Sequence, residues 1–288
     1  MKNVAQRLLL FFIGLPLLVA VVIFLPYAKH GAAVLVILAF TAGSAVEFAA
    51  FYRKRGIAVS SAAAAAISLA APVSAYAGSL LEGAAGPLGA VGALALGGAL
   101  ASVLAFIPFA LVRKEEIEGV IPTASAVASI AVYPGLLGAF VVLIASEPPG
   151  AADALLCFCI LCFGNDSLAW LAGTTIGRRR GLVAVSPNKS LAGFIAGFGG
   201  SMALALACPL LFPDSMRAPW WGLLALGAVV GAAGILGDLF ESALKRSAGI
   251  KDSGTVVPGR GGFLDCFDSL LFAAPFFYGL SLLLGLFR

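Results

Sequence analysis

Nine long apolar stretches dominate this sequence of 288 residues and decide what the chain can fold into. Only 11% of the residues are charged and 61% are hydrophobic, whereas a soluble domain carries about 25% charged residues. A water-soluble fold of this length could not hide so much apolar surface. A helix of about 20 apolar residues matches the thickness of a bilayer. The predicted spanning helices cover residues 8–27, 32–51, 57–77, 88–112, 121–146, 152–174, 190–212, 219–244 and 264–287.

The pattern therefore predicts an all-α integral membrane protein with about nine transmembrane helices, five in residues 1–150 and four in residues 151–288. Lys and Arg residues set the orientation, because they are enriched in cytoplasmic segments. If the N-terminus is cytoplasmic and the helices alternate, the C-terminus lies outside and only three basic residues do so: Lys29, Arg217 and Arg288. The other fifteen are then cytoplasmic: Lys2, Arg7, Arg53, Lys54, Arg55, Arg113, Lys114, Arg178, Arg179, Arg180, Lys189, Lys245, Arg246, Lys251 and Arg260.

Acidic residues within the apolar stretches indicate where the function resides, since a charge inside a membrane helix is costly. The N-terminal half has one clear case, Glu47. The two polar loops 175–189 and 245–263 hold 8 of the 18 Lys and Arg residues. We predict the functional site around these loops, on the cytoplasmic side. The acids of the C-terminal half fall beside them: Asp166, Asp238, Glu241, Asp265 and Asp268.

The spacing of these acids favours chemistry on phosphates. Asp238, Glu241 and Lys245 share one helix face, because they are three and then four residues apart. Asp265 and Asp268 lie three residues apart near the start of the last helix, where acids interact well with the helix dipole. Mg²⁺ takes carboxylate and phosphate oxygens, and Lys and Arg contact further phosphate oxygens. Ion pairs that close a solvated loop are the alternative interpretation.

The loop 175–189, called the middle loop below, has two features that allow more than one interpretation. Arg178, Arg179 and Arg180 are typical of an anchor on the inner leaflet as well as of a phosphate site. Ser186 and Lys189 belong to a turn, and Ser190 is the predicted N-cap of the seventh helix. The same turn could present hydroxyl, amine and N–H groups to a phosphate.

In these two loops the sequence resembles the phosphatidate cytidylyltransferases, also called CDP-diacylglycerol synthases. Their C-terminal pattern runs Ser-x-x-Lys-Arg, four residues, Lys-Asp, Pro-Gly-His-Gly-Gly and Asp-Arg-x-Asp. The matching residues here are Ser242, Lys245, Arg246, Lys251, Asp252, Pro258, Gly259, Gly261, Gly262, Asp265 and Asp268. The preceding Gly237, Asp238, Leu239 and Glu241 also fit. In the middle loop and the helices on either side of it, the matching residues are Asn165, Asp166, Ala169, Gly177, Arg178, Ser186, Pro187, Lys189, Ser190 and Gly193.

Four positions depart from the family pattern. Arg260 stands where the family has histidine, and Cys266 where it has arginine. Ala192 replaces a glutamate, and Asn188 replaces a lysine. Arg260 keeps a positive charge but cannot shuttle a proton, and Cys266 removes a cation.

The resemblance implies that CTP and phosphatidic acid react to give CDP-diacylglycerol and pyrophosphate, in phospholipid biosynthesis at the inner (cytoplasmic) membrane, with the active site facing the cytoplasm. It implies Mg²⁺ held by Asp238 and Asp265, with a second ion such as K⁺ also allowed. Asp268, Lys245 and Arg246 complete the expected catalytic group. A homodimer is expected from the family, membrane lipids are the surroundings, and no nucleic acid partner is expected. The expected substrate-binding residues are Ser186, Lys189, Lys251, Asp252, Arg260, Asp166 and Glu241.

Two other classes of function stay open from the sequence. Helices that carry acids near glycines are also a transporter pattern, although the predicted polar groups cluster at one face rather than at the bilayer midplane. A relative that binds lipid or nucleotide without turnover is the second alternative, and the departures at Arg260 and Cys266 motivate it.

Overall fold

The structure is a computed structural model that describes residues 13–81, 87–110, 112–146 and 149–287. Within these ranges the regular elements are helices, and extended pairing is limited to isolated bridges between Arg180 and Ser190 and between Val257 and Gly261. The α-helices are α1 (Leu15–Phe24), α2 (Tyr27–Lys54), α3 (Ser61–Leu80), α4 (Pro87–Ala110), α5 (Val120–Ile130), α6 (Leu137–Ser146), α7 (Ala151–Thr175), α8 (Leu191–Ala207), α9 (Trp220–Ser247) and α10 (Leu264–Leu284).

Seven helical segments in the described residues are long and apolar enough to cross a bilayer. They confirm the prediction of an all-α, multi-pass membrane protein. The predicted segment 8–27 lies partly outside the described residues. Helix α4, which corresponds to the predicted segment 88–112, is not one of the seven. The count of nine therefore stays a prediction. The orientation also stays a prediction, and Lys2, Arg7 and Arg288 lie outside the described residues. The seven segments are Tyr27–Lys54, Ser61–Leu80, Ile117–Ser146, Ala151–Thr175, Leu191–Leu210, Trp220–Ser247 and Leu264–Leu284.

The chain divides into two compact units, and the division is not a simple cut between an N-terminal and a C-terminal half. Unit one comprises Met1–Glu147 together with Ser247–Phe267. Unit two comprises Pro148–Arg246 together with Asp268–Arg288. Helix α10 therefore has its first turn in unit one and its remaining length in unit two.

In unit one, local sequence signals set the ends of the helices. Ala28, Lys29 and His30 have positive φ values of 50°, 50° and 58°, which no regular α-helix allows. They interrupt the helix at the predicted loop between the first two apolar stretches. Ser60 caps the start of α3, with its side chain accepting a hydrogen bond from the N–H of Ala63. Helix α3 packs against α2, α4 and α6.

The predicted helix 121–146 is continuous in length but not in geometry. A π-helical segment, Ala131–Leu136, separates α5 from α6. Pro134 lies inside this segment and has no backbone N–H to donate to the preceding turn. The wider π-helical turn accommodates the missing hydrogen bond. The next residue, Gly135, packs so closely against α3 that an added Cβ would lie 3.1 Å from the carbonyl oxygen of Ser68.

In unit two, small residues let the helices approach closely, as is usual where packing rather than hydrophobic burial holds membrane helices together. Helix α7 packs along α8, where Gly197 leaves no room for a side chain beside Asn165. The buried Asn165 amide also donates to the carbonyl oxygen of Gly231 in α9, over 2.9 Å. Asn165 thus ties three helices of unit two together.

Candidate active site

The loop between α7 and α8 is held by its own backbone and by one arginine. Arg180 donates from Nη1 to the carbonyl oxygen of Asn188 and from Nη2 to that of Gly173, each over 2.8 Å. Ser190 caps α8 as predicted, accepting from the N–H of Gly193 over 3.1 Å. All three arginines of the run are exposed, and Arg180 braces the loop through its two bonds.

Lys189, at the end of this loop, forms an ion pair with Asp238 of α9. The side chains keep 29% and 31% of their exposure, so solvent reaches both charges. The Lys189 ammonium also lies 5.8 Å from the ring centroid of Phe194, within cation–π range. Lys189, a predicted substrate-binding residue, thus contacts Asp238, a predicted metal ligand.

One and two turns further along α9 from Asp238 lies a second, deeper ion pair. Glu241 is fully buried and pairs with Lys245, whose side chain is 12% exposed. This confirms the helix face that the sequence predicted for these residues. The neighbouring Arg246 reaches back to the middle loop, where its Nε donates to the carbonyl oxygen of Val185 over 3.4 Å.

Asp268 joins the same group from α10. Its side chain is 7% exposed and accepts from the N–H of Ser269 over 2.6 Å. It lies within electrostatic range of Asp238, Glu241 and Asp166. These four acids of unit two, Asp166, Asp238, Glu241 and Asp268, are called the acidic cluster below. Two lysines, Lys189 and Lys245, are in direct contact with it.

The second polar loop, from Ala248 to Phe263, belongs to unit one and is called the signature loop below. It turns sharply between Val257 and Gly261, whose N–H and C=O groups pair with each other over 2.8 and 3.0 Å. Gly259 and Gly261 have φ values of 76° and 116°, which only glycine adopts without strain. The charged residues expected to contact substrate from this loop are all exposed: Lys251, Asp252 and Arg260.

Glu47 of α2 holds this loop, and the sequence did not assign it to the site. Its carboxylate accepts from the Ser253 hydroxyl over 2.8 Å, from the N–H of Leu264 over 2.9 Å and from the N–H of Phe263 over 3.0 Å. The signal was present in the sequence, since Glu47 is the clear acid in an N-terminal apolar stretch. Its partner could not be read, because it lies 206 residues away.

Asp265 is also engaged by the signature loop. Its Oδ2 accepts from the N–H groups of Ser253 and Gly262, each over 2.8 Å, and also lies 2.7 Å from the Ser253 hydroxyl oxygen. These contacts to one oxygen orient the carboxylate at the start of α10. Ser253 is the second site residue that the sequence did not single out.

The side chains of the acidic cluster have the chemistry that Mg²⁺ requires, but they are not arranged as a metal site. Each member of the acidic cluster offers carboxylate oxygens, the ligands that Mg²⁺ prefers. Within the described ranges, however, no three His, Cys, Asp or Glu side chains are grouped as a metal site. Asp238 is paired with Lys189, so a cation at this carboxylate requires the lysine to move to another partner.

The structure thus gathers the predicted residues in two groups. In unit two, the acidic cluster and its two lysines come together, and Arg246 and Ser186 form hydrogen bonds within or to the middle loop. The six residues of the first set are Asp166, Lys189, Asp238, Glu241, Lys245 and Asp268. In unit one, Lys251, Asp252, Arg260 and Asp265 belong to the signature loop or the helix start that follows it. The predicted metal ligands Asp238 and Asp265 fall in different units.

Comparison with known proteins finds relatives that match part of the chain. Phosphatidate cytidylyltransferase of Bacillus subtilis is 42% identical over 120 residues, which are 42% of this chain and 44% of that protein. The protein of that name from Synechocystis is 38% identical over 139 residues, 48% of this chain and 45% of the relative. The one from Chlamydia trachomatis is 40% identical over 123 residues, 41% of this chain and 40% of the relative. The chain spans a little under half the length of these curated relatives.

The family comparison extends much further along the chain. The model of the cytidylyltransferase family matches residues 5–284, and so includes the helices of both units and both polar loops. Together with the acidic cluster and the signature loop, this match shows that the chain belongs to the cytidylyltransferase family.

Proposed function

We propose that this protein is a phosphatidate cytidylyltransferase, which transfers CMP from CTP to phosphatidic acid and releases pyrophosphate. The observation that carries the proposal is the acidic cluster with its two bound lysines in unit two. The names of the relatives support the same substrates. The carboxylates suit a divalent cation and the lysines suit phosphate oxygens, and together these positive charges would offset the mutual repulsion of two anionic substrates.

In the proposed reaction the substrate brings its own nucleophile. A phosphate oxygen of phosphatidic acid attacks the α-phosphorus of CTP, a new P–O bond forms, and the bond to the bridging oxygen of the β-phosphate breaks. The electron pair of that bond leaves with pyrophosphate. The work left for the protein is positioning and electrostatic stabilisation, since no serine or cysteine nucleophile is required.

The lysines of unit two are suited to that work because their present partners are carboxylates. Lys189 keeps 29% exposure, so its ammonium can turn from Asp238 to an incoming phosphate without breaking the fold. Lys245 is held by the buried Glu241, which fixes its position on the face of α9. We assign Lys189 and Ser186 to one substrate phosphate, and Lys245 and Arg246 to the pyrophosphate that departs.

The signature loop is proposed to supply the remaining contacts. Lys251 and Arg260 are exposed cations that suit the phosphates of CTP, and Asp252 suits its polar sugar or base groups. Arg260 offers a fork of donors where the family has histidine, so it holds charge but moves no proton.

Mg²⁺ is proposed as the metal, with Asp238 and Asp265 as ligands and Asp268 as support. When bound, it would neutralise charge on the phosphates and favour departure of pyrophosphate. The choice of Asp238 and Asp265 rests on the sequence motif, since they belong to different units. A second ion such as K⁺ remains part of the proposal.

The cellular setting is proposed from the family and the charge distribution. We place the protein in the inner membrane, with both polar loops in the cytoplasm where CTP is dissolved, and we expect a homodimer. A site open sideways to the inner leaflet would let the lipid substrate enter without leaving the bilayer.

The test is pyrophosphate release by the detergent-purified protein with CTP, Mg²⁺ and phosphatidic acid, each omitted in turn. Release that requires all three supports the proposal. A folded protein that binds CTP without releasing pyrophosphate would be a non-catalytic relative, with Arg260 and Cys266 as the first residues to revert. Movement of either substrate across sealed vesicles without release would instead support a transporter.

A further inference from the structure

Glu47 belongs to the N-terminal helices, yet its contacts are with the signature loop and the start of α10. Only 9% of its surface is exposed, and its two carboxylate oxygens accept three hydrogen bonds. A buried carboxylate is costly unless it is paired or hydrogen-bonded in this way. The residue is therefore built into the loop rather than placed beside it.

Two of these bonds cap α10 from another helix. The first N–H groups of any α-helix have no partner within the helix, and negative charge near them is favourable. Here the N–H groups of Phe263 and Leu264 donate to the Glu47 carboxylate, which lies 216 and 217 residues earlier in the chain. Helix α10 therefore starts where Glu47 holds it.

The third bond links Glu47 to Asp265. The Ser253 hydroxyl lies 2.8 Å from Glu47 Oε2 and 2.7 Å from Asp265 Oδ2. Because a hydroxyl has one proton, it donates to one carboxylate at a time, and the backbone N–H groups of Ser253 and Gly262 hold Asp265 in either case. The position of the Asp265 carboxylate thus depends on a hydroxyl that Glu47 also holds.

Two glycines of the loop make room for this contact. An added Cβ at Gly262 would collide with both Ser253 Oγ and Glu47 Oε2, and one at Gly254 would collide with Glu47 Oε1. The backbone of the loop is wrapped directly around the carboxylate. A loop that merely passed near α2 would not need glycine at both points.

We infer that Glu47 is a positioning residue that fixes the signature loop and, through Ser253 and the first turn of α10, the carboxylate of Asp265. The part of this inference that concerns catalysis rests on the proposed function. The part that concerns the loop does not, and the two are tested separately.

The loop is tested by trypsin on the full-length protein in detergent, comparing wild type with Glu47→Gln. Glutamine has the same shape, but whichever way its amide is turned, the NH₂ group replaces the oxygen that accepts from either the Phe263 N–H or the Leu264 N–H. Loss of hydrogen bonds to a charged group predicts cleavage after Arg260 at least ten times faster than in wild type. Cleavage after Arg178 and Arg179 in the other loop should stay within twofold.

Thr41→Val is the matched control on the same helix. Thr41 is fully buried and its hydroxyl donates to the carbonyl oxygen of Ile37, so the change removes a buried polar group without touching the loop. It should leave cleavage after Arg260 unchanged. Equal cleavage in Glu47→Gln and wild type, or equal acceleration at Arg178 and Arg260, overturns the local role of Glu47. If Glu47→Gln does not fold, Ser253→Ala is measured in the same way.

Catalysis is tested by a double-mutant cycle between Glu47→Gln and Ser253→Ala. We expect each single change to lower kcat about tenfold and the double change to lower it much less than a hundredfold, because the residues act through one hydroxyl. Thr41→Val with Ser253→Ala should be additive. An active wild type whose kcat is unchanged by Glu47→Gln overturns the catalytic part. An inactive wild type with the predicted cleavage pattern would refute the proposed function and leave the loop assignment standing.

Discussion

Replacing Lys245 by methionine perturbs the best-buried ion pair described in unit two. Glu241 has no exposed surface, and the Lys245 side chain keeps only 12%, so little water can replace the lost charge. Breaking a buried pair by removing one partner costs about 3–5 kcal/mol, because the other charge loses its compensation. For a chain of this size about 2–4 °C is lost per kcal/mol, so we expect the melting temperature to fall by roughly 6–20 °C.

Thermal unfolding of purified protein in one detergent measures this change. Lys251→Met is the matched control, since Lys251 is exposed in the signature loop and should alter the melting temperature by less than about 2 °C. Adding Glu241→Gln to Lys245→Met should restore most of the loss, because no buried charge then remains at the pair. A Lys245→Met protein as stable as the Lys251→Met control would refute the claim that this pair is buried and coupled.

Three further perturbations follow from contacts in the two units. Asn165→Ala removes the 2.9 Å bond that joins α7 to α9, and we expect a loss of about 1–3 kcal/mol, seen as a lower melting temperature than for an exposed Ser167→Ala control. Arg180→Ala removes two bonds to carbonyl oxygens, so the middle loop should be cut by chymotrypsin after Leu182 several times faster than in Arg178→Ala. Gly262→Ala should lower kcat more than Gly249→Ala, since only the former places a Cβ against Ser253.

Features that depend on neighbours in the sequence could be predicted. The alternation of apolar and polar segments gave helix boundaries within a few residues, as in the eighth stretch, predicted at 219–244 and found at Trp220–Ser247. Ser190 was predicted as a cap because a serine before an apolar run satisfies free N–H groups. The shared face of Glu241 and Lys245 followed from the helical repeat alone.

Features that depend on how distant segments pack could not be predicted in this way. The Lys189–Asp238 pair joins residues 49 positions apart, and the Glu47–Ser253 bond joins residues 206 apart. The π-helical turn at Pro134 could not be predicted either, because a proline within an apolar stretch is compatible with a kink, a break or a wider turn. The grouping of the signature loop with the N-terminal helices depends on the same long-range contacts.

Transfer of label from the α-phosphate of CTP into extractable lipid tests the proposed activity most directly. Purified wild-type protein with Mg²⁺ and phosphatidic acid should move the label into a product that runs as CDP-diacylglycerol. In a folded Asp238→Asn protein this rate should fall at least a hundredfold, since the change removes the charge of a proposed metal ligand from the acidic cluster. Wild-type protein that transfers no label, or an Asp238→Asn protein that transfers it at the wild-type rate, would contradict the account.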